Sequence, residues 1–106
     1  MINMAIIGIG QMGMLHANII KRNKDLNLIA VSKKSPERIE EIKDKYNLEV
    51  YTDNDKLLDI KKIDYVVIST TNDAHEELTI KALSKGKNVI VEKPMSDMNP
   101  QFWTPN

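Results

Sequence analysis

The chain has 106 residues, no cysteine, and 15 lysines and arginines against 15 aspartates and glutamates. That length suits one domain, which on folding buries roughly 60–70% of the extended chain's surface and needs no covalent staples. Zero net charge gives no electrostatic ground for binding nucleic acid or a membrane surface. The lack of cysteine excludes a disulfide framework and a thiolate metal site, and fits a reducing, cytoplasmic setting.

The opening "MINMAIIGIG" is apolar but has no basic head, and glycines interrupt it early, so it reads as a strand and not as a signal peptide. No run reaches the ~18 apolar residues that a membrane helix needs. Residues 4–7 are expected to form a strand covered on both faces. A helix follows over 11–21, with Met12, Leu15 and Ile19 on its inner face and Ile20 beside them. Residues 28–31 read as a second strand. Ser35-Pro36-Glu37 is a good helix start, with a serine cap, a proline in the first turn and an acid at the positive end. Ile39, Ile42 and Tyr46 form the stripe of that helix, and Asn47 ends it.

Residues 50–51 make a brief third strand and 53–58 a short helix or turn. The strand at 65–69 has the strongest pattern in the chain. Asn72 or Asp73 caps the next helix, Asp73 with Glu76 matching a capping box, and Leu78, Thr79, Ala82 and Leu83 face inward. Gly86 stands where a helix-ending glycine belongs, and 88–91 is the fifth strand. Five strands joined by helical crossovers predict an α/β fold with a doubly wound parallel sheet of Rossmann type, in the order 3-2-1-4-5. The expected division is a dinucleotide-binding domain over 1–94 and an irregular tail over 95–106. That tail has two prolines, no helical period, and the chain's single Phe and Trp.

Gly8, Gly10 and Gly13 in "GIGQMG" have G-x-G-x-x-G spacing, between a predicted strand and a predicted helix, which is the context that gives the motif meaning. The first glycine permits the turn, the second lets a pyrophosphate reach the backbone, and the third lets the helix pack on the sheet. Gln11 and Met12 then open the helix, whose unpaired N–H groups and positive end favour phosphate. A ligand-free glycine turn, or one serving S-adenosylmethionine or a flavin, is the lesser alternative. At the end of the second strand the acid that would hold the ribose 2′-hydroxyl of NAD is missing. Ser32-Lys33-Lys34 stands there instead, which predicts NADP(H) over NAD(H), two surface lysines with no ligand being the alternative.

Ser69-Thr70-Thr71-Asn72 ends the fourth strand at the sheet's carboxyl edge, beside the first strand. Thr70, Thr71 and Asn72 can offer hydroxyls and an amide to the ribose or nicotinamide side of the cofactor, or can simply cap the helix. His75 reaches the cleft or faces solvent, and His16 is more simply a packed helix residue. Two separated histidines make no metal site. Lys93 follows the fifth strand at the same edge. There it can orient a substrate hydroxyl or help take its proton as hydride leaves, with Glu92 holding it by a salt bridge and Pro94 fixing the backbone, although from chemistry alone an exposed Lys-Pro after a strand is usually just a turn.

The stretches "AIIGIGQMGMLHA", "AVSKKSPERIEEI" and "YVVISTTNDAHEELTIKALSKGKNVIVEKPMS" together resemble the N-terminal domain of the glucose–fructose oxidoreductase / inositol dehydrogenase / MocA family, over about residues 2 to 96. The resemblance implies NAD(P) bound on this domain and redox chemistry on sugars, cyclitols and related hydroxyl compounds. It implies that Lys93 is the catalytic or substrate-orienting lysine and that Gly8, Gly10 and Gly13 hold the pyrophosphate. Thr70, Asn72 and His75 match cofactor-side positions.

The sequence departs from the family's pattern in three places. Thr71 stands where the family often has proline, and Lys33 stands near the usual acid. The resemblance also implies that family members continue into a sixth strand and a substrate domain, and the expectation is a chain truncated before them. The expectation is therefore an oxidoreductase's cofactor-binding half. The competing readings are a nucleotide-binding module without turnover and an interaction protein that self-associates through the fifth strand.

Overall fold

Strand β1 (Ile2–Ile7) is buried on both faces from Met4 onward. Its side chains alternate between the two cores, Met4 and Ile6 to one, Ala5 and Ile7 to the other. The structure is a computed structural model that describes residues 1–9, 11–34, 37–69 and 72–91, with the backbone alone for 11, 12 and 72–74. Around β1 lie α1 (Gln11–Arg22), β2 (Leu26–Ser32), α2 (Ile39–Tyr46), β3 (Glu49–Tyr51), α3 (Asn54–Leu58), β4 (Tyr65–Ile68), α4 (Asn72–Ser84) and β5 (Asn88–Val91). The five strands form one sheet in the order β3-β2-β1-β4-β5, every pairing parallel, as the sequence predicts.

One face of the sheet packs Met4, Ile6, Leu28, Val31 and Val67 against Ala17 and Ile20 of α1 and Ile42 and Tyr46 of α2. The other packs Ala5, Ile7, Ala30, Val66 and Ile68 against Leu57 and Leu58 of α3 and Leu78 and Ala82 of α4. Leu28 and Val31 share a face although three residues apart, because the β1–β2 register shifts between Met4 and Ala5, pairing Met4 with Leu28 and Ala5 with Ala30. The extra residue, Ile29, joins Ala30 on the second face.

Three local expectations are corrected. The packed face of α1 carries Gly13, Ala17 and Ile20, at i, i+4 and i+7, while Leu15 and Ile19 are 50% and 53% exposed. The small residues let the helix lie close on the sheet, and the larger apolar ones are left on its flank. Leu83 of α4 is likewise exposed. Helix α2 starts only at Ile39. Its N-cap is Arg38, in the left-handed region (φ 62), with no side-chain cap bond. Ser35 and Pro36, expected to begin it, lie outside the described residues, and Glu37 is in a turn.

The other ends follow the expected chemistry. Asn47 closes α2 in the left-handed region, and Asp53 caps α3 by accepting from the Asp55 N–H. After α4, the Gly86 N–H donates to Leu83 O and the Lys87 N–H to Ala82 O, with Gly86 at φ 78, which is a Schellman ending. Helix α4 already includes Asn72, so the capping expectations fall on side chains outside the description.

At the sheet's amino edge an amide network ties four strands. The Asn27 Nδ2 donates to Asn3 Oδ1, the Asn3 N–H to Asp64 Oδ2, and the Asn88 N–H to Asp64 O.

Candidate functional site

Four strand ends meet at the carboxyl edge. The Ile9 N–H donates to Ser32 O (2.9 Å), the Lys33 N–H to Tyr51 O (2.8 Å) and the Ser69 N–H to Ile7 O (2.9 Å). The turn after β1, the end of β2 and the end of β4 are thereby held in register. Helices α1 and α2 cover one face, α3 and α4 the other. Neighbouring strands β1 and β4 thus lead to helices on opposite faces, and in such a sheet the ligand crevice usually lies at this edge between them.

The glycine loop occupies one wall. Gly8 has φ 85, a conformation strained for any residue with a side chain. A Cβ on Gly13 would stand 3.0 Å from the Gly8 carbonyl oxygen and 3.3 Å from Ile9 Cγ1, so helix and loop touch backbone to backbone. Helix α1 begins at Gln11, which leaves its first-turn N–H groups at this edge without intrahelical acceptors. Gly10 lies outside the described residues, as do the side chains of Gln11 and Met12.

Ser32, expected as a cofactor contact, is only 2% exposed, and its Oγ accepts the Gly8 N–H at 3.1 Å. Its hydroxyl faces the loop. Lys33 is half-buried and Lys34 exposed just beyond it, so both cations stand where β2 reaches the crevice. On the opposite wall His75 is half-buried in the first turns of α4, and its carbonyl accepts the Thr79 hydroxyl at 2.6 Å. Thr70, Thr71, Glu92, Lys93 and the side chain of Asn72 lie outside the described residues. His16 is half-buried within α1. Among the described residues no group of histidines and acids could hold a metal ion, and no helix is long and apolar enough to cross a membrane.

A concavity of about 360 Å³ is lined by Thr52, Asp53, Asn54, Asp55, Glu77, Leu78 and Lys81. Its one cation is paired within the protein, and three carboxylates line it, Asp53, Asp55 and Glu77. Lys81 Nζ stands 3.2 Å from Asp55 Oδ1 and 3.4 Å from Glu77 Oε1, and the hydrogen bond to Asp55 is the main cause that raises the lysine's pKa above 10.5. This groove joins α3 to α4 and has no part in the glycine loop.

The described part of the glycine loop and the end of β2, expected from the sequence to share one edge, are joined there by hydrogen bonds. Sequence reasoning missed what the Ser32 side chain does there. The available signal was the position itself: a small hydroxyl residue closing a strand that lies next to the first glycine's strand.

The family model described as an oxidoreductase family with an NAD-binding Rossmann fold matches residues 2–102. Myo-inositol 2-dehydrogenase of Thermotoga maritima is 34% identical over 92 residues, which cover 86% of this chain and 28% of that protein. A 2,7-anhydro-N-acetylneuraminate hydratase of Mediterraneibacter gnavus is also 34% identical, over 87% of this chain and 24% of its own length. The crystal structure of scyllo-inositol dehydrogenase from Lactobacillus casei, with NAD(H) and scyllo-inositol bound, superposes with a TM-score of 0.79 at 28% identity, over 85% of this chain and 27% of that one. The chain thus spans about a quarter of the length of these relatives, 24–28%. With sheet order, glycine loop and family model in agreement, the chain belongs to the glucose–fructose oxidoreductase / inositol dehydrogenase / MocA oxidoreductase family, as its dinucleotide-binding Rossmann domain.

Proposed function

We propose that residues 1–94 bind a nicotinamide dinucleotide in the crevice between the ends of β1, β2 and β4, as the cofactor-binding part of a cytoplasmic oxidoreductase acting on a cyclitol, sugar or polyol hydroxyl. The observation that carries this reading is the contact between Gly13 and the Gly8 carbonyl, with Gly8 at positive φ and α1 starting at Gln11. A cradle with no side chain at its closest points fits a diphosphate, whose oxygens take the N–H groups of the first helical turn. The cofactor's nicotinamide ring supplies the hydride acceptor or donor. Thr70, Thr71, Asn72 and His75, from the β4 side, orient its ribose and nicotinamide. Lys93, after β5, holds the substrate hydroxyl and helps move its proton, with Glu92 keeping the lysine in place.

The finer cofactor preference is for NADP(H). Its support is Lys33 and Lys34 at the end of β2, in a place where no carboxylate stands to repel a 2′-phosphate. The related scyllo-inositol dehydrogenase binds NAD(H), so a direct comparison decides. Parallel calorimetric titrations with NADPH and NADH should give tighter NADPH binding, and Lys33→Asp should reverse the order. Equal affinities, or tighter NADH, would refute the preference, and no binding of either would refute the function. Turnover of inositols or sugar alcohols, abolished by Lys93→Ala with nucleotide affinity retained, would support catalysis by this chain, whereas binding without turnover would favour a nucleotide-binding module.

A second reading is self-association. Strand β5 ends the sheet among the described residues, with Ile90 and Val91 41% and 42% exposed. An unpaired apolar edge favours a second copy of the chain. Sedimentation at several concentrations tests this, and a monomer throughout would dismiss it.

A further inference from the structure

We infer that Ser32 is a positioning residue for the phosphate loop, its hydroxyl and carbonyl together fixing which backbone amides are left to meet the diphosphate. The inference rests on the dinucleotide reading above and assigns Ser32 a role other than contact with a 2′-phosphate. Two consecutive amides of the loop end on this one residue, the Gly8 N–H on its Oγ at 3.1 Å and the Ile9 N–H on its carbonyl at 2.9 Å. Neither is then left for a phosphate oxygen, and among the described residues the next donors are those from Gln11 on, in the first turn of α1.

The carbonyl bond is one that any residue at this position can make. The hydroxyl bond depends on the side chain, and at 2% exposure no solvent replaces it. Gly8 has reason to need such a hold. It sits at φ 85, and its carbonyl lies 3.0 Å from where a Cβ of Gly13 would stand, so a small rotation of its peptide changes the fit of loop against helix. Ser32 also leads directly into Lys33 and Lys34. The loop and the end of β2, two walls of one crevice, are therefore joined through a single side chain.

The test compares the 106-residue chain with Ser32→Ala and Ser32→Cys, the second keeping nearly the side-chain volume while replacing oxygen by a weak acceptor. Binding of the preferred dinucleotide and of adenosine, which lacks the diphosphate, is followed by NMR titration, together with hydrogen exchange of the Gly8 amide. Both variants should exchange Gly8 faster and lose about tenfold in dinucleotide affinity, the scale set by one lost hydrogen bond, with adenosine affinity unchanged. A purely structural role would leave the ratio of the two affinities as it is in the parent chain, and that result overturns the inference. So does a Cys variant that binds like the parent, since volume and not the acceptor would then matter. If the parent chain binds no dinucleotide, the proposed function fails by itself. Unaltered Gly8 exchange in Ser32→Ala would separately show that the hydroxyl does not hold the loop.

Discussion

Gly13 is where sequence and backbone geometry constrain one another most tightly. Alanine would gain up to about 1 kcal/mol in helix propensity there. Its Cβ, however, would meet a backbone oxygen at 3.0 Å, and such overpacking costs about 1–3 kcal/mol. The clash is with main chain that the sheet holds, so Gly13→Ala should lower stability by about 1 kcal/mol in urea unfolding and weaken dinucleotide binding. An alanine variant with unchanged stability and binding would show that the close approach is not needed. Arg38 is the opposite case. It sits at φ 62, and among the described residues its side chain makes an exposed 3.6 Å ion pair to Glu41, a kind of pair that contributes little against the strain. Arg38→Asn, a residue that tolerates this conformation, should raise stability by about 0.5–1 kcal/mol on the same measurement, and a loss would mean that the arginine makes a contribution beyond that pair.

Helices α3 and α4 are tied by ion pairs, Lys81 with Asp55 and Lys85 with Asp59. The Lys81 amine has its pKa raised above 10.5, chiefly by the hydrogen bond to Asp55. A raised amine pKa stabilises the fold below the unfolded value of 10.5 and is lost as pH climbs through the folded one. Asp55→Asn should therefore be slightly less stable than the parent at neutral and mildly alkaline pH. The two curves should converge above pH 10.5, whereas a constant gap would assign the effect to something other than the lysine. Helices also show why part of the chain was harder to read. Periodicity selects large apolar residues, so Leu15 and Ile19 were expected inside, yet α1 rests on Gly13, Ala17 and Ile20. The glycine motif held the right answer, since a third glycine that packs on the sheet fixes positions four and seven residues further along as the same face. The start of α2 was misplaced for a related reason, because Ser35-Pro36 is a strong local signal and the helix begins only after the left-handed turn at Arg38.

The whole molecule was the most legible level. Continuous apolar runs at β1, β2 and β4, each leading to a helix, allow few topologies once crossovers are right-handed, and the order β3-β2-β1-β4-β5 followed. The same order brings the glycine loop, Ser32 and Lys33 to one edge, which made half of the candidate site readable. The hydrogen bond that Ser32 accepts from the loop was harder to read, because position puts a small hydroxyl residue at the strand end but does not give the direction of its side chain. A chemical-shift titration of the ¹⁵N-labelled chain with NADPH and NADH tests the assembled site most directly. Saturable changes centred on Gly8, Ile9, Gln11, Gly13, Ser32 and Lys33 are the predicted result. No saturable change, or changes confined to the groove between α3 and α4, would contradict it.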